Sequence, residues 1–168
     1  MTTIRTIALY LLVIFTTFYV SIGVFTLICP FAEHFDTVMY AKYWKIVDGY
    51  MGRRMSIFKP IWMLVFLFNL IVFFKTWRKS PIFWIVLSSF VILIWDILFT
   101  IKAQIPINKY FQSIDVNHLT AEQITIIQSF RNQTTENFEF RKLLVVIIFL
   151  MIVMTPYLYR RLNQQVKV

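Results

Sequence analysis

The segment from Ile82 to Ile101 runs twenty residues with a single charged side chain, Asp96. A helix needs about 20 mainly apolar residues to cross the hydrocarbon core of a bilayer. Three further apolar runs accompany it: Thr6 to Cys29, Pro60 to Phe74, and Leu143 to Leu158. With their flanks they predict spans at about 6–29, 58–77, 81–102 and 140–159. Composition agrees, since 59% of the 168 residues are hydrophobic and only 15% are charged. A soluble domain of this size has too little interior to hide so much apolar surface. Three glycines and five prolines supply few turns for a barrel. The expected fold is therefore all-α: one domain over residues 1–168, an integral membrane four-helix bundle with the lipid bilayer as its first partner.

Lysine and arginine density sets the expected orientation. One set of segments comprises the first five residues, the Lys75 to Ser80 turn and the tail after Tyr159. They hold Arg5, Lys75, Arg78, Lys79, Arg160, Arg161 and Lys167, with no acid. The remaining ten basic residues lie in long segments mixed with seven acids. Short, purely basic segments belong on the cytoplasmic side. Both ends are thus expected inside, with two long connections outside, in a bacterial cytoplasmic (inner) membrane. The first run reads as a retained helix, because its apolar stretch is too long for a signal peptide and no small-x-small cleavage site follows.

Pro81 suits the first turn of the third helix, and Pro60 is read the same way for the second. Trp62, Trp77 and Tyr157 fall near span ends, where aromatic rings prefer the interface. In the outer connections, Met39, Tyr43, Ile46, Val47 and Tyr50 recur at helical spacing, predicting a short amphipathic helix over about 38–50. Thr120 with Gln123 has capping-box spacing. Ile127, Phe130, Thr134, Asn137 and Arg141 follow at three- and four-residue steps. They predict an amphipathic helix over about 120–139 that continues into the fourth span.

Asp96 is the sharpest candidate for chemistry. A charged side chain at the centre of a membrane helix costs about 2.5–3.5 kcal/mol on insertion scales and needs a partner or a wet cavity. Ser89 and Thr100 share its face. Asn69 is the second polar residue within a span. Thr16, Tyr19, Gly23 and Thr26 form a small-and-polar stripe on helix one, of the kind that lets helices approach closely. The candidate partners are Arg141 and Lys142 at the start of the fourth span, Arg53 and Arg54 before the second, and Asn108 after the third. Together with Asp96 they predict a polar pocket open to the outer side. The bland reading is that Asp96 and an arginine only lock helices in register, that Arg53 and Arg54 anchor at the interface, and that Asn69 is interhelical glue.

Other chemistries are poorly served. The one cysteine, Cys29, excludes a disulfide framework or a Cys-x-x-Cys pair. His34 and His118 stand alone, so no metal site is expected, and no dinucleotide fingerprint or P-loop points to a cofactor. The net charge of +9 is better explained by membrane topology than by nucleic acid, whose recognition motifs are absent.

The layout resembles the anthrone oxygenase family, small four-helix membrane proteins formerly grouped as a domain of unknown function. The matching pieces are Gly23 with Pro30, the Tyr40 to Tyr50 segment, Arg53-Arg54-Met55 and Pro60. Pro106-Ile107-Asn108-Lys109 after helix three and Phe140-Arg141 entering helix four complete them. Many members carry Trp-x-x-His or Trp-x-x-Asn just before that arginine; here the tryptophan is missing and Asn137 stands near the polar position. The resemblance implies oxidation of an anthrone-like lipophilic aromatic without metal or flavin. Asp96 would be the base, with Arg53, Arg141 and Asn108 as donors to the oxyanion. With Arg54, Asn69 and Asn137, these residues form the candidate binding set. The competing reading is a non-catalytic binding protein or accessory subunit, working as a homo-oligomer or with a membrane-protein partner. A proton-coupled transporter using Asp96 as carrier is disfavoured by the lack of an inverted repeat.

Overall fold

The computed structural model describes residues 2–28, 31–78 and 80–165, and its ordered elements are all helical. Cys29, Pro30, Lys79, Lys167 and the side chain of Thr26 lie outside the described residues. Helix α1 spans Thr2–Ile28, α2 Thr37–Phe74, α3 Pro81–Phe99, α4 Ile105–Ser113, α5 Ala121–Val153 and α6 Thr155–Gln165. A short 3-10 turn, Phe31–His34, precedes α2. A π-helical turn, Thr100–Gln104, joins α3 to α4 so that Pro81–Ser113 is one rod. Four helical rods are long and apolar enough to cross a membrane.

Local chemistry explains most boundaries. Asp36 caps α2 by accepting the Met39 N–H at 2.7 Å. Ser80 caps α3, with Pro81 in its first turn. The capping box of α5 is formed: Thr120 Oγ1 accepts the Gln123 N–H at 3.2 Å, and Gln123 Oε1 accepts the Thr120 N–H at 2.9 Å. Pro106 cannot continue regular α-helical bonding, because its ring has no N–H and crowds the carbonyl four residues back. The preceding π turn absorbs this misfit, with the Ile105 N–H reaching the Thr100 carbonyl. Pro156 likewise has no N–H for the Ile152 carbonyl, and α5 breaks there. The Thr155 hydroxyl donates to that carbonyl instead, at 2.7 Å.

The rods pack as an antiparallel bundle in which α1 touches α2 and α5, and α3 touches the same two. Its core contains Leu9 and Leu12 of α1, Trp62, Phe66 and Phe73 of α2, Val86 and Leu93 of α3, and Ile148 and Ile152 of α5. The outward faces are equally apolar: Phe18, Leu64, Ile71, Trp95 and Leu150 are exposed, Ile71 by 72%. Exposed apolar surface on this scale is unusual for a soluble monomer and natural for helices solvated by lipid.

At one end α2, α4 and α5 continue past α1 and enclose a second, smaller core of Tyr40, Ala41, Ile107, Phe111, Ile114 and Ile127. Arg131 of α5 ties the 3-10 turn and the residue after it to this head, donating to the Ala32 carbonyl at 3.4 Å and the Phe35 carbonyl at 2.8 Å. The opposite end carries the Lys75–Ser80 turn and α6.

Three expectations change. The segment 38–50 is the first third of a continuous α2, not a separate helix. Pro60 sits inside α2 rather than opening it; its exposed position lets the ring project away from neighbouring helices. Trp62 is fully buried, because α2 has already run more than six turns before reaching it.

Candidate functional site

Asp96 lies one turn before the end of α3 and is fully buried. Arg141 Nε donates to its Oδ1 at 2.7 Å. The Tyr19 hydroxyl of α1 donates to its Oδ2 at 2.8 Å. Arg141 Nη2 in turn donates to the Tyr19 oxygen at 2.8 Å. Carboxylate, guanidinium and phenol therefore close a three-membered ring of hydrogen bonds across α1, α3 and α5. The fourth rod contributes Lys59, whose ammonium is 3.9 Å from Asp96 Oδ2 and 5.6 Å from the centre of the Tyr19 ring. Among the described residues Lys59 Nζ donates no hydrogen bond. Two cations thus face one carboxylate.

The floor of this cluster is aromatic. Tyr19 packs on Trp62 with ring centres 4.7 Å apart, and Trp62 packs on Phe66. The Trp62 indole N–H reaches Thr16 Oγ1 at 3.3 Å, while the Thr16 hydroxyl donates to the Leu12 carbonyl. Arg141 also lies over the Phe138 ring at 5.5 Å. Ser89 and Thr100 return their hydroxyls to carbonyls of their own helix, so neither shares the carboxylate.

A second polar node sits on the head side of the first. Gln104, buried within the π turn, donates from Nε2 to Asn108 Oδ1 at 2.9 Å and to Thr134 Oγ1 at 3.4 Å. Its Oε1 accepts from Asn137 at 3.2 Å. Asn108 Nδ2 donates to Asp48 at 2.6 Å, and the Trp44 indole donates to Asn108 at 3.1 Å. Asn137 and Arg141 are four residues apart on α5 and so share one face, which links the two nodes in space.

The sequence candidates are distributed unevenly. Asp96 and Arg141 meet directly, and Asn108 and Asn137 meet through Gln104. Asn69 lies elsewhere: its amide donates to the Ala8 and Val65 carbonyls, both at 2.9 Å, stitching α1 to α2. Arg53 and Arg54 are exposed, and their side chains bond to none of Asp96, Asn108 or Arg141. Lys142 pairs with Glu139 at 2.6 Å instead. Sequence reasoning missed Lys59, Gln104, Asp48 and Trp44, and read Tyr19 only as part of a packing stripe. A cation beside a proline looks like a loop residue. The one available signal was that Lys59 stands only three residues before the aromatic Trp62 of an apolar run.

Chemically, the first cluster is a buried ion pair with a surplus positive charge and a phenol proton between them. Among the described residues no three His, Cys, Asp or Glu side chains converge to hold a metal. No protein-family model, curated protein or solved structure matches this chain.

Proposed function

We propose that the chain is an integral membrane protein that binds a lipophilic aromatic molecule with an ionisable oxygen at the Asp96–Arg141–Tyr19–Lys59 cluster. The observation that carries this reading is Lys59. Its cation is largely withdrawn from solvent, at 16% side-chain exposure, and faces a carboxylate whose two oxygens already have closer donors. Keeping a second cation there is costly unless another anionic group shares it. A phenolate or enolate would do so.

This fits the chemistry of the anthrone oxygenase family that the sequence resembles. Stabilising the enolate of an anthrone promotes loss of its ring C–H proton. That proton passes to Asp96, the carbanion forms a C–O bond with dioxygen, the peroxide takes the proton back, and loss of water from the hydroperoxide leaves the anthraquinone, with no cofactor required. In this reading Lys59 and Arg141 stabilise the oxyanion, while Asp96 and Tyr19 hold Arg141 in place. Arg5, the Lys75–Ser80 turn and α6 would lie on the cytoplasmic side of a bacterial inner membrane, as basic segments prefer. The head would stand outside.

The test is fluorescence titration of the reconstituted protein with an anthrone and with a hydroxyanthraquinone, alongside oxygen uptake. Saturable binding is expected, weakened about tenfold or more by Lys59→Met, the loss of one charge-assisted contact. Absence of both binding and oxygen uptake contradicts the proposal. The zero exposure and full bonding of Asp96 favour a second reading, a non-catalytic subunit whose ion pair only fixes helix register. It predicts that Lys59→Met changes nothing measurable.

A further inference from the structure

Two clefts lie at the basic end, remote from Asp96. One, of about 540 Å³, is lined by Tyr157, Arg160, Arg161 and Gln164. A second, of about 270 Å³, adjoins it through Arg160 and Gln164 and runs between α1 and α6 over Leu9, Tyr10, Pro156 and Tyr159. The two share Arg160 and Gln164 in their walls; the first is cationic and the second mostly apolar. Among the described residues the side chains of Arg160, Arg161 and Gln164 have no hydrogen-bond partner. Nearby, Arg5 Nε is buried and also unpartnered, with its guanidinium 5.4 Å over Phe73. No acid lies in α6 or in the Lys75–Ser80 turn.

The break at Met154, just before Pro156, separates α5 from an amphipathic α6 that still packs against α1 and α3. Its polar side holds both arginines, while Tyr159 returns to the core against Phe73 at 5.6 Å. Arginine pairs recognise phosphate oxygens through their planar donor forks. Basic pockets between membrane helices suit anionic lipid headgroups. We propose that this cleft is a binding site for one anionic phospholipid, with its phosphate between Arg160 and Arg161 and an acyl chain along the Leu9–Tyr10–Pro156 groove.

The test uses the full chain in detergent with equal amounts of phosphatidylglycerol and phosphatidylcholine, bound lipid being counted by native mass spectrometry. Phosphatidylglycerol should be retained in preference by about thirtyfold, the scale expected when two basic residues meet an anionic headgroup. R160Q/R161Q should abolish the preference, and R160K/R161K, which keeps the charge but loses the planar forks, should keep only part of it. Gln164→Glu, an exposed change that adds a repelling charge, should lower it without disturbing the fold. Excess inorganic phosphate should not displace the lipid. Equal retention of the two lipids, a preference unchanged in R160Q/R161Q or Gln164→Glu, or displacement by phosphate alone overturns the proposal.

Discussion

Asp96 and Arg141 depend on each other more than either depends on the rest of the bundle. Removing one partner of a buried pair leaves the other charged and unsolvated, at a cost of about 3–5 kcal/mol. Arg141→Met and Asp96→Leu are each expected to lose about that much in denaturant titrations in mixed micelles. The double variant should lose under about 2 kcal/mol, because apolar replacements remove both desolvation penalties together. Lys59→Met should leave stability unchanged or raise it slightly, because it removes a second, largely buried cation from a carboxylate that closer donors already serve. Asp96 and Arg141 were legible in the sequence because a charge in an apolar run has few ways to be satisfied. Tyr19 and Lys59 were not. A phenol passes unnoticed among apolar neighbours, and Lys59 precedes a proline that suggests a helix start.

At the level of elements, the structure rewards reading caps and punishes reading prolines as boundaries. The capping box at Thr120 marks the start of α5, and Ser80-Pro81 marks that of α3. Pro60 marks nothing, since α2 stays helical through it at an exposed position, whereas Pro106 and Pro156 each coincide with a local change. The lesson is physical: a proline ends a helix only where the flanking turns have no better use for continuing. Thr120→Ala should cost about 1 kcal/mol and speed amide exchange in the first turn of α5 while leaving the distant α3 unchanged. Thr155→Val should cost about 1 kcal/mol, the loss of the hydroxyl's bond to an Ile152 carbonyl that keeps the Met154 N–H. Gln104 went unseen for the same reason as the π turn that buries it: nothing in Thr100–Gln104 departs from ordinary helical composition until Pro106 is reached.

The whole molecule is a bundle with two unlike ends. One is short and basic, with a cleft between α1 and α6. The other is a helical head with its own core, reached through two polar nodes stacked along α5. At 33 residues, α5 is about 50 Å long, roughly 20 Å more than a hydrocarbon core, so its first turns belong to the head. The four rods were readable from hydropathy alone. The joining of α2, α4 and α5 into a head was not, because its contacts, such as Asn108 with Asp48, link residues far apart in the chain.

If the rods cross a bilayer, the head and the basic end lie on opposite sides of it. Single cysteines at Ser129, Lys75, Gln164 and Val91, with Cys29 replaced by Ser, test this with a membrane-impermeant thiol reagent on intact spheroplasts. Ser129→Cys should label at once. Lys75→Cys and Gln164→Cys should label only after permeabilisation, and Val91→Cys under neither condition. Labelling of Ser129→Cys and Gln164→Cys from the same side, or ready labelling of Val91→Cys, would contradict it.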